Sequence, residues 1–196
     1  MSIYDDYLKN ALRHLFDHWM NKRVGLVAAA LIDGDRKVYA TSILNPDGTW
    51  KHAERNALEQ FAATYGKPGP SAVMLSTLSP CTRVAGSGDA YGDQKNAARR
   101  QDESCSALLK QHGITTIGFG TLDSEDAKDN ASYTDLGFNV VDIRDRTVLA
   151  ACKALNDTFP AYIEAEARGE TGCVALKEQL LGSLLCPKTI FERGAE

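Results

Sequence analysis

Apolar residues recur at three- and four-residue steps through Tyr4, Tyr7, Leu8, Ala11, Leu12, Leu15, Phe16 and Trp19, which puts one greasy stripe on a helix over residues 2–21. Residues 24–32 are an apolar run with β-branched members, closed by Asp33-Gly34, and residues 37–44 follow at hairpin distance, so two antiparallel strands are expected. Asn45-Pro46-Asp47-Gly48 then breaks the chain. Helical period returns from Lys51 through Ala57, Leu58, Phe61, Ala62 and Tyr65, until Gly66-Lys67-Pro68-Gly69-Pro70 stops it. Residues 72–77, 114–120 and 138–143 read as strands, and a short helix over 104–111 leads into the second of them. A weak helical pattern at 125–136 joins the last two, a length that suits a parallel crossover better than a hairpin. Two further helical patterns follow, at 148–159 and 174–185, the latter with Val174, Leu176, Leu180, Leu181 and Leu184 on its greasy side.

These elements predict an α/β fold of three layers, α/β/α, around a mixed five-stranded sheet whose last strands are parallel. One domain is expected over 1–170, with a polar, glycine-bearing insertion at 82–104, and a helical extension over 171–196. A chain of 196 residues with 43% apolar composition is long enough for one well-packed core. Its formal charge of -4 and pI near 5.6 give no broad basic footprint, which favours a small-molecule partner over a nucleic acid. Acids and histidines interrupt the first helix, so neither a signal-peptide core nor a membrane span is expected there. Five cysteines are too few and too odd in number for a disulfide framework, and free thiols or metal ligation in a cytoplasmic protein are the expectation.

The chemistry concentrates in His52-Ala53-Glu54, Pro80-Cys81 and Cys105, which fall at or near helix starts that follow strands. There the helix dipole favours a thiolate and side chains can converge. Three protein ligands keep one tetrahedral position open, as a catalytic zinc requires. Glu54 lies two residues past His52, where it can face the same cavity without ligating and move the protons of a hydrolytic water. Cys152 shares an apolar stripe with Val148, Leu149 and Leu155, and Cys173 and Cys186 lie in the tail, whereas Cys105 starts the helix that leads into the next strand. His14 and His18 flank Asp17 away from the greasy stripe and read as a solvated face; His112 reads as a cation at a helix C-terminus. Gly86-Ser87-Gly88 has no lysine placed for a phosphate loop.

The pattern H-x-E…P-C…C is that of zinc nucleobase deaminases. The chain resembles the cytidine deaminase-like superfamily over roughly residues 4–166, through HAERNAL, STLSPC, SALLKQHGITTIGFG and LGFNVVDIRD. It looks closest to fungal-type cytosine deaminases and to the pyrimidine deaminase half of riboflavin-pathway enzymes. The resemblance implies a Zn2+ cofactor on His52, Cys81 and Cys105, Glu54 as proton shuttle, a small aminated heterocycle of the cytosine type as substrate, and a homo-oligomer, with a dimer favoured. It also implies substrate contacts at Ala53, at Asn45, whose other reading is a turn residue before Pro46, and at Glu166, with Glu164 competing for that role.

The family usually sets its two cysteines within a few residues, whereas 82–104 separates them here. By the logarithmic loop rule, lengthening closure from about 3 to about 24 residues costs only roughly 2 kcal/mol. The insertion gathers Arg83, Lys95, Arg99 and Arg100, which read either as a solvated loop or as a lid whose Arg83 meets a substrate phosphate. Other aminated rings (a riboflavin-pathway pyrimidine, guanine, a pterin), a nucleic-acid-editing deaminase or toxin, and an inactive zinc scaffold are the alternatives.

Overall fold

The computed structural model describes residues 2–21, 23–47, 49–82, 103–122, 132–168 and 175–178. Its first helix, α1 (Ile3–Asp17), begins where Ser2 accepts from the Tyr4 N–H at 3.1 Å while Asp5 accepts from the Ser2 N–H at 2.6 Å. Leu8, Ala11, Leu12 and Leu15 then form the buried stripe that the periodicity predicts. Next come β1 (Val24–Asp33) and β2 (Arg36–Leu44), joined by a tight hairpin in which Gly34 takes φ 62°, a conformation that favours glycine. A two-residue strand, β3 (Trp50–Lys51), precedes α2 (Ala53–Tyr65). The chain continues through β4 (Val73–Ser76), α3 (Cys105–Gln111), β5 (Thr116–Phe119), β6 (Asn139–Val140) and α4 (Arg146–Ala167).

The sheet runs β3-β2-β1-β4-β5-β6, antiparallel up to β4 and parallel from β4 through β6. Alternation along β1 builds the two outer layers. Leu26, Ala28, Ala30 and Ile32 meet Leu8, Leu12 and Leu15 of α1 and Val148, Cys152 and Leu155 of α4. Ala29 and Leu31 meet Ala57 and Phe61 of α2 and Leu108 and Leu109 of α3. The three-layer α/β/α fold is as expected, but the sheet has six strands where five were expected. The added strand is β3, which pairs Trp50 with Leu44 and Lys51 with Ile43. Two residues carry no readable alternation, and it is the backbone of the Asn45 turn that lays them against β2.

Other boundaries differ too: the first helix ends at Asp17 where 21 was expected, and the strand expected over 138–143 is Asn139–Val140. The helix expected to start at Lys51 starts at Ala53, because Lys51 is taken by β3 and His52 becomes the N-cap. The helix expected to end at 159 runs through Pro160 to Ala167. Proline removes one backbone bond, yet the buried Tyr162 and Ala165 beyond it hold the helix to the core. Within the tail only 175–178 is described, as helix. Leu176 packs on the core there, while Lys177 is 1% exposed, donating from Nζ to the Asn21 carbonyl at 3.1 Å and to that of Val24.

Asp5 does more than cap. Its Oδ1 also accepts from the N–H groups of Arg144 at 2.8 Å and Asp145 at 3.2 Å, tying the start of α1 to the approach to α4. Burial alone would raise this carboxyl's pKa, but the backbone donors Arg144, Ser2 and Asp145 outweigh it and hold the value below the ordinary range. Asp5→Ala therefore lowers unfolding stability by about 3 kcal/mol, the scale set by stranded buried donors, measured by urea denaturation at neutral pH. Because the folded pKa is depressed, the wild-type contribution is full above the unfolded value and fades as pH falls through the folded one. The gap between Asp5→Ala and wild type closes in acid; a gap that stays constant with pH contradicts the assignment.

Candidate metal centre

Four side chains meet where β4 ends and α2 and α3 begin. His52 is the N-cap of α2 with extended backbone (φ -64°, ψ 153°), and its imidazole makes no capping bond to the helix. Its ring instead faces two thiols: Nδ1 is 3.6 Å from Cys81 Sγ and 3.4 Å from Cys105 Sγ. The three ligand atoms lie within 4.8 Å of one another, the group of this kind found among the described residues. A tetrahedral zinc with Zn–S of about 2.3 Å and Zn–N of about 2.0–2.1 Å requires N···S separations of about 3.6 Å. The donors' identity and spacing both fit that ion, so these three residues are able to hold it.

The fold delivers the second cysteine across the long insertion by giving it a helix start. Ser104 caps α3 by accepting from the Ala107 N–H at 3.2 Å, which leaves Cys105 as the first helical residue. From there the Cys105 N–H donates to Cys81 Sγ at 3.1 Å, and the Ser106 N–H donates to the Cys81 carbonyl at 3.1 Å. The thiols are therefore not equivalent. A hydrogen bond from Cys105, aided by His52, holds the Cys81 thiol down at about 5 despite its burial. The same bond pushes Cys105 well up, with burial and the charge of Glu54 acting in the same direction and Arg55 opposing them. One of the pair is thus readily a thiolate, the form a metal takes.

Glu54, on the first turn of α2, is 3% exposed. Its Oε1 accepts from Ser76 Oγ at 3.0 Å, and its Oε2 faces Cys105 Sγ at 3.7 Å. Burial lifts its carboxyl above the usual range, Cys81 adds to this, and His52 and Ser76 oppose it. A carboxyl so placed lies beside the ligand set, within reach of a proton on a group bound there.

The remaining expected site residues are spread more widely. Ala53 is fully buried beside His52. Asn45, half-buried at the end of β2, donates from Nδ2 to Thr49 Oγ1 at 3.0 Å and from its N–H to the Thr49 carbonyl at 2.8 Å. Glu166 lies in α4 with its side chain outside the described set, and the competing Glu164 is exposed. Arg83, Lys95, Arg99, Arg100, Cys173 and Cys186 fall outside the described residues, as do Gly86-Ser87-Gly88 and most of the 125–136 pattern.

Cys152 is fully buried in the α1/α4 core, and burial pushes its thiol up to about 12. His14, half-buried, and His18, exposed, lie 4.5 Å apart between ring centroids with their planes tilted by 47°, and His112 is the C-cap of α3. Ser76 and Tyr133 had not been singled out. Ser76 is marked in the sequence as a polar residue at the inward-facing end of a buried strand; Tyr133 lies in turn over 133–137, where the weak helical pattern at 125–136 predicts helix.

The chain matches the sequence model of the cytidine and deoxycytidylate deaminase zinc-binding region over residues 1–121. No curated protein matches it significantly. Among solved structures it is similar to a diaminohydroxyphosphoribosylaminopyrimidine deaminase/5-amino-6-(5-phosphoribosylamino)uracil reductase from Thermotoga maritima, with TM-score 0.52, 22% identity and coverage of 83% of this chain. This chain spans 42% of that protein's length. It is also similar to a guanine deaminase from Nitrosomonas europaea, with TM-score 0.50, 14% identity and coverage of 80% and 86% of the two chains. A dCMP deaminase from the cyanophage S-TIM5 aligns with TM-score 0.44, 20% identity and coverage of 71% and 98%. At these identities the Thermotoga maritima and Nitrosomonas europaea structures speak for the fold alone. Among the described residues no helix is long and apolar enough to cross a membrane.

Proposed function

We propose, from the premise that this chain belongs to the cytidine and deoxycytidylate deaminase zinc-binding family, that it hydrolyses the exocyclic amino group of a small aminated heterocycle of the cytosine type, as free base, nucleoside or nucleotide. The observation that carries the reading is the convergence of His52, Cys81 and Cys105 with the Glu54 carboxylate beside them. His52, Cys81 and Cys105 hold zinc, which when bound supplies a water acidified to a pKa of about 7.

Glu54 moves the protons. One carboxylate oxygen is fixed by Ser76 Oγ, leaving Oε2 to take a proton from the hydrolytic water and pass it to the ring nitrogen. A second transfer at the same carboxylate protonates the departing amino group, so water and the aminated ring become a ring carbonyl and ammonia. Asn45 and Ala53, flanking the start of α2, and Glu166 are assigned to the substrate, and Arg83 to a phosphate when one is present. The net charge of -4 supports a small substrate over a polynucleotide. The same reading takes the protein as cytoplasmic and dimeric, the latter measurable by sedimentation.

Ammonia release from a panel of cytosine, cytidine, dCMP, guanine, an aminated pterin and a riboflavin-pathway pyrimidine tests the reading. Release is expected from a cytosine-type compound; release from guanine, the pterin or the riboflavin-pathway pyrimidine alone replaces the ring assignment. Ser76→Ala frees one side of the carboxylate. It is expected to lower kcat about tenfold, the worth of one hydrogen bond to a charged group, with zinc content and KM unchanged. Steady-state kinetics alongside metal analysis reads this, and an unaltered kcat removes Ser76 from the account.

A further inference from the structure

The turn that presents Cys81 has no regular secondary structure, and its hold on the ligand must come from bonds made to it from elsewhere. Bonds to several other segments of the described chain reach it. The Ser79 N–H donates to the Thr121 carbonyl at 2.9 Å, the Ser106 N–H to the Cys81 carbonyl at 3.1 Å and the Cys105 N–H to Cys81 Sγ at 3.1 Å. Another runs from Tyr133 Oη to the Pro80 carbonyl at 2.6 Å. Proline has no N–H, so that carbonyl is the one backbone group through which residue 80 can be hydrogen-bonded. Two of these bonds run from main chain to main chain, and a third ends on the ligand sulfur itself. The Tyr133 bond comes from a side chain that is not itself one of the three ligands.

Tyr133 is built to hold its place. It is 4% exposed, with its ring 5.2 Å from that of Phe119 and 6.3 Å from that of Phe138, both at steep angles. Behind it the chain turns tightly: the Phe138 N–H donates to the Tyr133 carbonyl at 2.9 Å, and Gly137 supplies the left-handed residue at φ 79°. Lys110 of α3 donates to the Leu136 carbonyl and lies 5.2 Å over the Phe138 ring. The hydroxyl is therefore aimed from a rigid shelf that is anchored on β5 and α3, the element that also carries Cys105.

We infer that Tyr133 is a positioning residue for the metal centre, its hydroxyl fixing the Pro80-Cys81 peptide so that Cys81 Sγ meets His52 and Cys105 at ligating distance. The inference rests on the reading of those three residues as zinc ligands. Partners lying behind the ligands typically set metal affinity by 10–100-fold, and a bond one residue removed from the ligand belongs at the lower end. Tyr133→Phe keeps both ring contacts and loses only the hydroxyl.

Zinc dissociation constants measured by chelator competition, with the visible spectrum of the Co2+-substituted protein, test this in wild type, Tyr133→Phe and Phe138→Leu. The expected result is a roughly tenfold weaker zinc affinity and altered Co2+ bands in Tyr133→Phe, with melting temperature little changed. Phe138→Leu, which loosens the shelf but retains the hydroxyl, loses more thermal stability and less zinc affinity. Affinity and Co2+ bands identical to wild type in Tyr133→Phe overturn the inference, as does affinity that merely follows stability across both variants. Absence of zinc binding by the wild type overturns the ligand reading itself, and the inference with it.

Discussion

Glu54→Gln abolishes measurable turnover while leaving zinc in place. The substitution is isosteric, and its amide oxygen can still accept from Ser76 Oγ, so the shape of the first turn of α2 and the ligand set are preserved. What is lost is the ability to take a proton from water and return it to the ring and the leaving nitrogen. General acid–base groups contribute about 10²–10⁴-fold, and because Glu54 is assigned both transfers the loss should lie at the upper end. Stability should not fall, since burial already lifts this carboxyl's pKa and works against its charged form. Steady-state ammonia release, metal analysis and thermal denaturation of the one variant separate these effects. Turnover within tenfold of wild type removes Glu54 from the chemistry, and loss of zinc shows a structural role instead.

Cys81→Ser or Cys105→Ser strips the protein of zinc and of activity together. A hydroxyl is a poor ligand beside a thiolate, and the remaining imidazole and single sulfur cannot close a three-point site. Structural zinc sites in peptides are worth about 10–16 kcal/mol, so the ligand loss also appears as a lower melting temperature than that of the zinc-replete wild type. Metal stoichiometry is expected to fall from one per chain to well below it. Cys152→Ala provides the comparison, because that thiol is pushed up to about 12 and lies in the α1/α4 core. It should cost stability through its cavity and retain full zinc. Equal zinc content in Cys105→Ser and Cys152→Ala returns the third ligand to open question.

What was legible in the sequence follows from how each residue's role is encoded. Helix α1, the β1/β2 hairpin and helix α2 announce themselves because burial on one face imposes a period that residue type records. His52, Glu54, Cys81 and Cys105 stand out because few residue types can do their chemistry, and the two thiols are brought within reach of His52 despite the insertion between them. Strand β3 left no such record, being two half-buried residues fixed by pairing to β2. Helix α4 was cut short at Pro160 because local preference was read without the packing of Tyr162 and Ala165 that overrides it. Ser76 and Tyr133 reach Glu54 and Pro80 by hydrogen bonds across 22 and 53 residues of chain, and such a partner is set by tertiary geometry alone.

Asn45 illustrates the same boundary from the other side. Sequence offers it two roles, and in the structure its side chain closes the turn onto Thr49. Both uses are compatible if substrate takes the amide oxygen while the amide nitrogen keeps Thr49.

The most direct test of the central claim is ammonia release by the zinc-loaded wild-type protein from cytosine, cytidine and dCMP, with zinc per chain determined on the same sample. The account predicts one zinc per chain and release of one ammonia for each ring carbonyl formed, from at least one of the three. A protein that carries its zinc and releases no ammonia from any of them contradicts it.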